Sequence, residues 1–224
     1  MIVVAIDGPS GVGKSTVGKA LAARLGVPYL DTGAMYRAIG LLARRGGVRL
    51  PIENPGRVVD LCESAEVRVT GAGGDAKTFL DGEDVSVEIR EPEVSRYASA
   101  VAAIPGVRRR LAARQREMAL AGGGVLEGRD IGTKVVPEAT AKFFLTARPE
   151  IRARRRFDEL VRKGTPQELG SVQAEMEARD RADSSRADSP LSCDETYVVV
   201  DTSDMNAEEV AERLRELVAA AAAG

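Results

Sequence analysis

Two periodicities alternate along the chain. Residues 2–6 (IVVAI) form an unbroken apolar run, the pattern of a strand buried on both faces of a parallel sheet. From Lys14 to Leu25 the pattern turns helical, with Val17, Ala20, Leu21 and Leu25 on one stripe and Gly26 placed to end it. A short strand is expected in VPYLDTG (27–33). Helices follow over 34–45, closed by Gly46-Gly47, and over 55–64. The pattern then shifts to short alternating runs broken by GAGGD (71–75) and DGED (81–84), both hairpin signals. Helical spacing resumes over 92–104 and 107–120. Gly122-Gly123-Gly124 then leads into VLEGRD (125–130), read as a strand that ends before Arg129, and AKFFLTA (141–147) is the next buried strand. Two arginine-rich helices cover 149–164 and 165–183. A last strand, TYVVVD (196–201), precedes a helix over 206–223 with Asn206 as its cap. Strands alternating with helices predict an α/β fold with a parallel sheet and right-handed crossovers.

Composition narrows the chemistry. At 224 residues the chain has room for one good core with inserted pieces. A net charge of −2 gives no overall field toward nucleic acid or an anionic membrane. With no histidine, imidazole acid–base catalysis and His-ligated metals are excluded. Cys62 and Cys193 make neither a metal spacing nor a disulfide framework, which fits a reduced, cytoplasmic setting. MIVVAI lacks a basic region and is too short for a signal peptide or spanning helix. Of the 32 basic residues only six are lysine, so arginine, the side chain suited to bidentate phosphate recognition, dominates.

Gly8-Pro9-Ser10-Gly11-Val12-Gly13-Lys14-Ser15, followed by Thr16, matches GxxxxGK[ST] between a buried strand and an amphipathic helix. Backbone N–H groups of such a loop turn inward around phosphate oxygens, and the helix N-terminus adds its positive end. Lys14 is expected at the β- and γ-phosphates of ATP. The Ser15 hydroxyl is expected on Mg²⁺, with Glu127 or Asp31 as candidate partners through water. Asp7 ends the first strand inside the motif and is placed to orient the loop. A GTP switch protein would carry NKxD, and no Asn-Lys pair exists. YVVVD (197–201) imitates a second metal motif, but Asp201 reads as a strand-end residue. A small kinase remains, which needs arginines around two sets of phosphates and a lid that excludes water. Thr32, Tyr36 and Arg37 can face one anion. Arg129 and Asp130 follow a strand end, where α/β ligands bind. Arg179, Asp183 and Arg186 fall at i, i+4 and i+7, one helical face.

GPSGVGKST, YLDTGAMYRA, DGEDVSVEIR, ASAVAAIPGVRRRL, GRDIGTKVVPEA and RDRADSSRADSPL, in this order, resemble the bacterial cytidylate kinases over about residues 2–201. The resemblance implies a P-loop three-layer fold with a five-stranded parallel sheet. Its core would be 1–65 and 90–224, with an antiparallel β insertion at 66–89 in the monophosphate-binding region and a helical lid at about 152–164. It implies transfer of phosphoryl from ATP to CMP, and to dCMP, with Mg²⁺, by a cytoplasmic monomer whose partners are nucleotides and neither nucleic acid nor membrane. Thr32, Arg37, Arg129 and Arg186, with Tyr36 beside them, resemble the ligands of the acceptor phosphate. Ser99, Arg108 and Asp130 resemble the cytosine-reading group, and Arg179 and Asp183 the sugar contacts. Arg155 and Arg156 resemble lid arginines near the transferred phosphoryl, their register blurred by three consecutive arginines. Glu127 stands where the family's DGRD has Asp. The rivals are another small P-loop kinase, of UMP, AMP or shikimate type, and a P-loop binding module without turnover.

Overall fold

The computed structural model describes residues 1–70, 76–186 and 188–223. Strand β1 (Val3–Asp7) is buried along its whole length because it sits in the middle of the sheet, paired in parallel with two neighbours. The elements that follow are α1 (Lys14–Leu25), β2 (Tyr29–Asp31), α2 (Thr32–Arg45), α3 (Pro55–Ser64), β3 (Val67–Thr70), β4 (Lys77–Leu80) and β5 (Glu83–Asp84). Then come α4 (Pro92–Val101), α5 (Pro105–Gly122), β6 (Gly124–Glu127), β7 (Ala141–Thr146), α6 (Pro149–Arg162), α7 (Leu169–Ser184), β8 (Val198–Asp201) and α8 (Ala207–Ala223). The main sheet runs β2-β6-β1-β7-β8, all parallel. Its register aligns Ile6 and Asp31 with Glu127, so the carboxyl ends of β1, β2 and β6 form one edge, where open α/β sheets bind ligands.

Alternation along β1 divides the core. Val4 and Ile6 pack with Val17, Leu21, Phe143 and Leu214 under α1 and α8, while Val3 and Ala5 pack with Leu30, Leu126 and Ala119 under α5. A separate apolar core joins Met35, Ile39 and Leu41 of α2 to Val58, Val67, Leu80, Val94, Val101, Val107 and Leu111. It carries the small antiparallel sheet β3-β4-β5 on the same body as α2 to α5. At the DGED signal Asp81 and Gly82 both have positive φ, 50° and 85°, as a two-residue type I′ turn requires. The GAGGD signal lies outside the described residues.

Several elements depart from their sequence pattern. TYVVVD forms the expected strand, β8, but as an edge strand that leaves the apolar Val198 and Val199 exposed. Helix α7 ends at Ser184, so Arg186 lies beyond it and does not continue the helical face of Arg179 and Asp183. Asn206 does cap α8: its Oδ1 accepts from the amides of Glu208 and Glu209, and Glu209 accepts from the Asn206 amide. Asp201 is a strand-end residue whose Oδ1 accepts from the amide and hydroxyl of Ser203.

Asp7 does not hold the phosphate loop. Its Oδ1 accepts from the Ile131 amide at 3.0 Å, and its Oδ2 from the Gly132 amide at 2.9 Å and the Tyr197 hydroxyl at 2.7 Å. Burial pushes this carboxyl's pKa up against those donors. Asp7 thereby fixes the wide helical turn over 131–135 that follows Arg129 and Asp130. Tyr197→Phe removes a donor from a fully buried carboxylate. It is expected to lower unfolding stability by about 1–3 kcal/mol, measured by urea denaturation.

Candidate active site

The loop from Gly8 to Gly13 joins β1 to α1. Gly8 has φ +144°, and a Cβ there would stand 2.2 Å from the Leu145 carbonyl oxygen, so only glycine lets the loop leave the strand this way. Lys14 opens α1 and turns its Nζ back onto the carbonyls of Gly8 (2.8 Å) and Pro9 (2.6 Å). Burial and then the nearby Arg129 hold its pKa well below the usual lysine value. One residue on, the Ser15 hydroxyl donates to Glu127 Oε1 at 2.6 Å, and the Tyr29 hydroxyl donates to the same oxygen at 2.7 Å. Glu127 Oε2 is buried without a partner among the described residues, and burial followed by the negative Asp31 raises this carboxyl's pKa.

Beside this edge, Asp31 caps α2 through the Ala34 amide (2.9 Å) and pairs with Arg37 (2.9 Å). Thr32 donates to the Glu127 carbonyl at 2.5 Å. Arg129 reaches across to Asp183 (2.8 Å), whose other oxygen takes Arg186. Burial alone would raise the Asp183 carboxyl, but these arginines hold it below its usual value. Arg179, exposed on α7, makes no hydrogen bond among the described residues. Crowding by protein, then Arg129, pushes it down to about 10. Arg186 is lowered by burial as well. Lys14, Arg37, Arg129, Arg179 and Arg186 thus lie within electrostatic reach of one another and of Asp31, Asp183 and Glu127, and several depress one another. Such an excess of cations is the electrostatic imprint of a polyanion.

A third group lies near Arg186. Arg108, on α5, pairs with Asp130 at 2.6 Å, and both side chains are buried. The Arg108 guanidinium stands 5.5 Å from the centre of the Tyr36 ring and donates to the Ala102 carbonyl. Its Nε is buried without a partner among the described residues. Ser99 sits half-buried on α4.

The two lid candidates separate. Arg155 donates to Thr202 Oγ1 and to the carbonyls of Thr202 and Met205, so it is tied to the loop after β8. Arg156 pairs with Glu159 on its own helix and is near enough to Arg179 to lower that residue's pKa. The sequence reading missed two side chains altogether. Asp180 accepts from the Ser10 amide at 2.9 Å, and Arg152 donates to the Ser10 carbonyl at 3.0 Å while pairing with Asp180. Asp180 lies inside RDRADSSR, a signal that could have marked it; Arg152 carries none. Among the described residues no three His, Cys, Asp or Glu side chains cluster as a metal centre, and no helix is long and apolar enough to cross a membrane.

A family model described as Cytidylate kinase matches residues 4–220. A Cytidylate kinase of Caldanaerobacter subterraneus subsp. tengcongensis is 48% identical over 96% of this chain and 93% of its own. One of Mycobacterium leprae is 50% identical over 97% and 95%. In fold alone, a shikimate kinase from Acinetobacter baumannii superposes with a TM-score of 0.50 at 17% identity, covering 98% of this chain and 94% of that one. The P-loop, the crowded arginines beyond it and the near-complete match all lead to the same assignment: the chain belongs to the cytidylate kinase family.

Proposed function

We infer that this enzyme is a nucleoside monophosphate kinase that phosphorylates CMP, and we propose ATP as the phosphoryl donor. The observation that carries the reading is the excess of cations at the carboxyl edge of the sheet, split between the P-loop side (Lys14) and the far side (Arg37, Arg129, Arg179, Arg186). Two phosphate-bearing molecules meeting there would neutralise both halves. An oxygen of the CMP 5′-phosphate attacks the γ-phosphorus in line, the bond to the β-phosphate bridging oxygen breaks, and CDP and ADP result. The attacking oxygen is already anionic at neutral pH, so no general base is needed, in keeping with a chain without histidine. Catalysis is positioning plus charge neutralisation by Lys14 and the arginines.

Base selection rests on Arg108 and Asp130. Cytosine offers an amino donor at N4 and acceptors at N3 and O2. Asp130 engages Arg108 through Oδ2, which leaves Oδ1 for the amino group, while Arg108 supplies donors for the ring acceptors. Uracil would set O4 against the carboxylate. Asp183 and Arg179 are proposed at the sugar, with dCMP accepted as well as CMP. The proposed moving part is the lid at about 152–164, with Arg156 closer to the phosphates than Arg155. Free Cys62 and Cys193 thiols support a reducing, cytoplasmic setting.

Mg²⁺ fits the hard-oxygen donors available. The Ser15 hydroxyl and Glu127, whose Oε2 lacks a partner among the described residues, would hold it, with waters and phosphates completing the shell. Bound there, it would offset charge on the β- and γ-phosphates.

The cation cluster is tested with Arg186→Ala. The expected result is a fall of roughly a hundredfold in kcat/KM for CMP, the size of one charge-stabilising contact, with melting temperature nearly unchanged. Normal kinetics with a lower melting temperature would make Arg186 a structural ion-pair partner of Asp183.

A further inference from the structure

Ser10, near the tip of the phosphate loop, has every polar group engaged by a residue distant in sequence. Its amide donates to Asp180 Oδ1, its carbonyl accepts from Arg152, and its hydroxyl accepts from Arg129 at 3.3 Å. Asp180 and Arg152 also pair with each other, and both are largely buried, with side chains 15% and 11% exposed. Arg152 Nε, although buried, has no partner among the described residues. The contact is close: a Cβ on Gly11 would stand 2.5 Å from the Met176 Cε and 3.0 Å from Arg152. Met176 in turn packs with Leu160 and Val172 where α6 meets α7. Both helices therefore rest on the loop through polar and apolar contacts.

A P-loop amide is a donor meant for a phosphate oxygen. Here a carboxylate oxygen holds it, with an arginine as counter-ion. We propose that Asp180 is a built-in competitor of the donor nucleotide: its carboxylate occupies the Ser10 amide and restrains Arg152, and an incoming triphosphate displaces it. This rests on the reading of the loop as the donor site. Phosphate and carboxylate cannot share one amide, and their like charges oppose coexistence. Displacement releases Arg152, which lies against the loop and gains the phosphates as its new anion. Asp180 shares α7 with Arg179 and Asp183, so its release also shifts the helix that lines the acceptor side. Donor binding and acceptor binding are thereby coupled through one side chain, and Asp180 acts as a positioning residue.

The test is calorimetric binding of a non-hydrolysable ATP analogue with Mg²⁺ to the whole protein and to Asp180→Asn. Asparagine keeps an acceptor for the Ser10 amide but removes the charge that must be evicted. If the competitor restrains the wild-type loop, the variant binds the analogue roughly threefold to tenfold more tightly, the factor lost when only part of the population is competent. Equal or weaker binding by the variant overturns the proposal while leaving the P-loop assignment intact. Failure of both proteins to bind the analogue removes the donor-site reading and the proposal with it. Should Asp180→Asn fail to fold, the wild type decides by hydrogen exchange. The analogue is expected to speed exchange in the segment 177–184, and unchanged or slower exchange there overturns the displacement.

Discussion

Lys14→Ala is expected to reduce kcat by about two to three orders of magnitude and leave the fold intact. The Lys14 ammonium sits at the start of α1. It is buried, its pKa is held down by burial and by Arg129, and its hydrogen bonds in the free protein go to two loop carbonyls. A charge kept in so unfavourable a place contributes little to folding, so its removal should move the melting temperature by no more than a few degrees. In the proposed transition state the same charge would face the β- and γ-phosphates. There a single positioned donor or cation supplies about 3–4 kcal/mol. Steady-state ADP release and thermal unfolding on the same sample check the two halves together. Turnover within a factor of a few of wild type would remove the P-loop from the mechanism.

Asp130→Asn is expected to erode base selection. The carboxylate pairs with Arg108 in a buried setting, and asparagine is isosteric but offers an amide N–H₂ as well as an oxygen. That donor can meet uracil O4, which the carboxylate repels. One mispaired buried polar group is worth about 1–3 kcal/mol, so the ratio of kcat/KM for CMP over UMP should fall about tenfold to a hundredfold. The affinity for ATP should be unchanged, because the pair is proposed to read the acceptor base and makes no hydrogen bond to the phosphate loop among the described residues. Stability will fall too, since Arg108 keeps its buried charge but loses its counter-ion, and breaking such a pair by removing one partner costs about 3–5 kcal/mol at most sites. The specificity ratio separates the roles. A lower melting temperature with an unaltered ratio would reduce Asp130 to a structural partner of Arg108.

Local signals were legible in the sequence, and long-range ones were not. The strand, loop and helix of residues 3–25 declare themselves through a continuous apolar run, three glycines and a 3.6-residue stripe, all short-range properties. The Asp-Gly turn at 81–82 was equally plain, because few other pairs tolerate two positive φ values. Arg129 and Asp130 were flagged by their place after a strand, and the structure puts them at the sheet edge. Ser10 with Arg152 and Asp180 was invisible, as were Asp7 with Ile131, Gly132 and Tyr197. Each joins residues more than a hundred positions apart, and no periodicity encodes which segments will meet. Arg155 shows the same limit. In ARRRF three neighbouring arginines point three ways, and only the folded position of Thr202 and Met205 tells which is tied down. Arg186 was misplaced onto a helical face because helical spacing persists through RADSSR, although the backbone leaves the helix at Ser184. The strand pattern of 196–201 hid an edge strand, since an apolar run does not say whether a neighbour covers its far side.

The central claim is that two phosphate-bearing molecules meet at the carboxyl edge of the sheet and that one of them is CMP. It is tested most directly by ADP release from Mg-ATP with CMP, dCMP, UMP, AMP and shikimate offered separately. The account predicts rapid turnover with CMP and dCMP and a rate with UMP lower by about tenfold or more, set by the mispaired uracil O4. Turnover favouring UMP, AMP or shikimate, or binding of ATP with no acceptor phosphorylated, would contradict it.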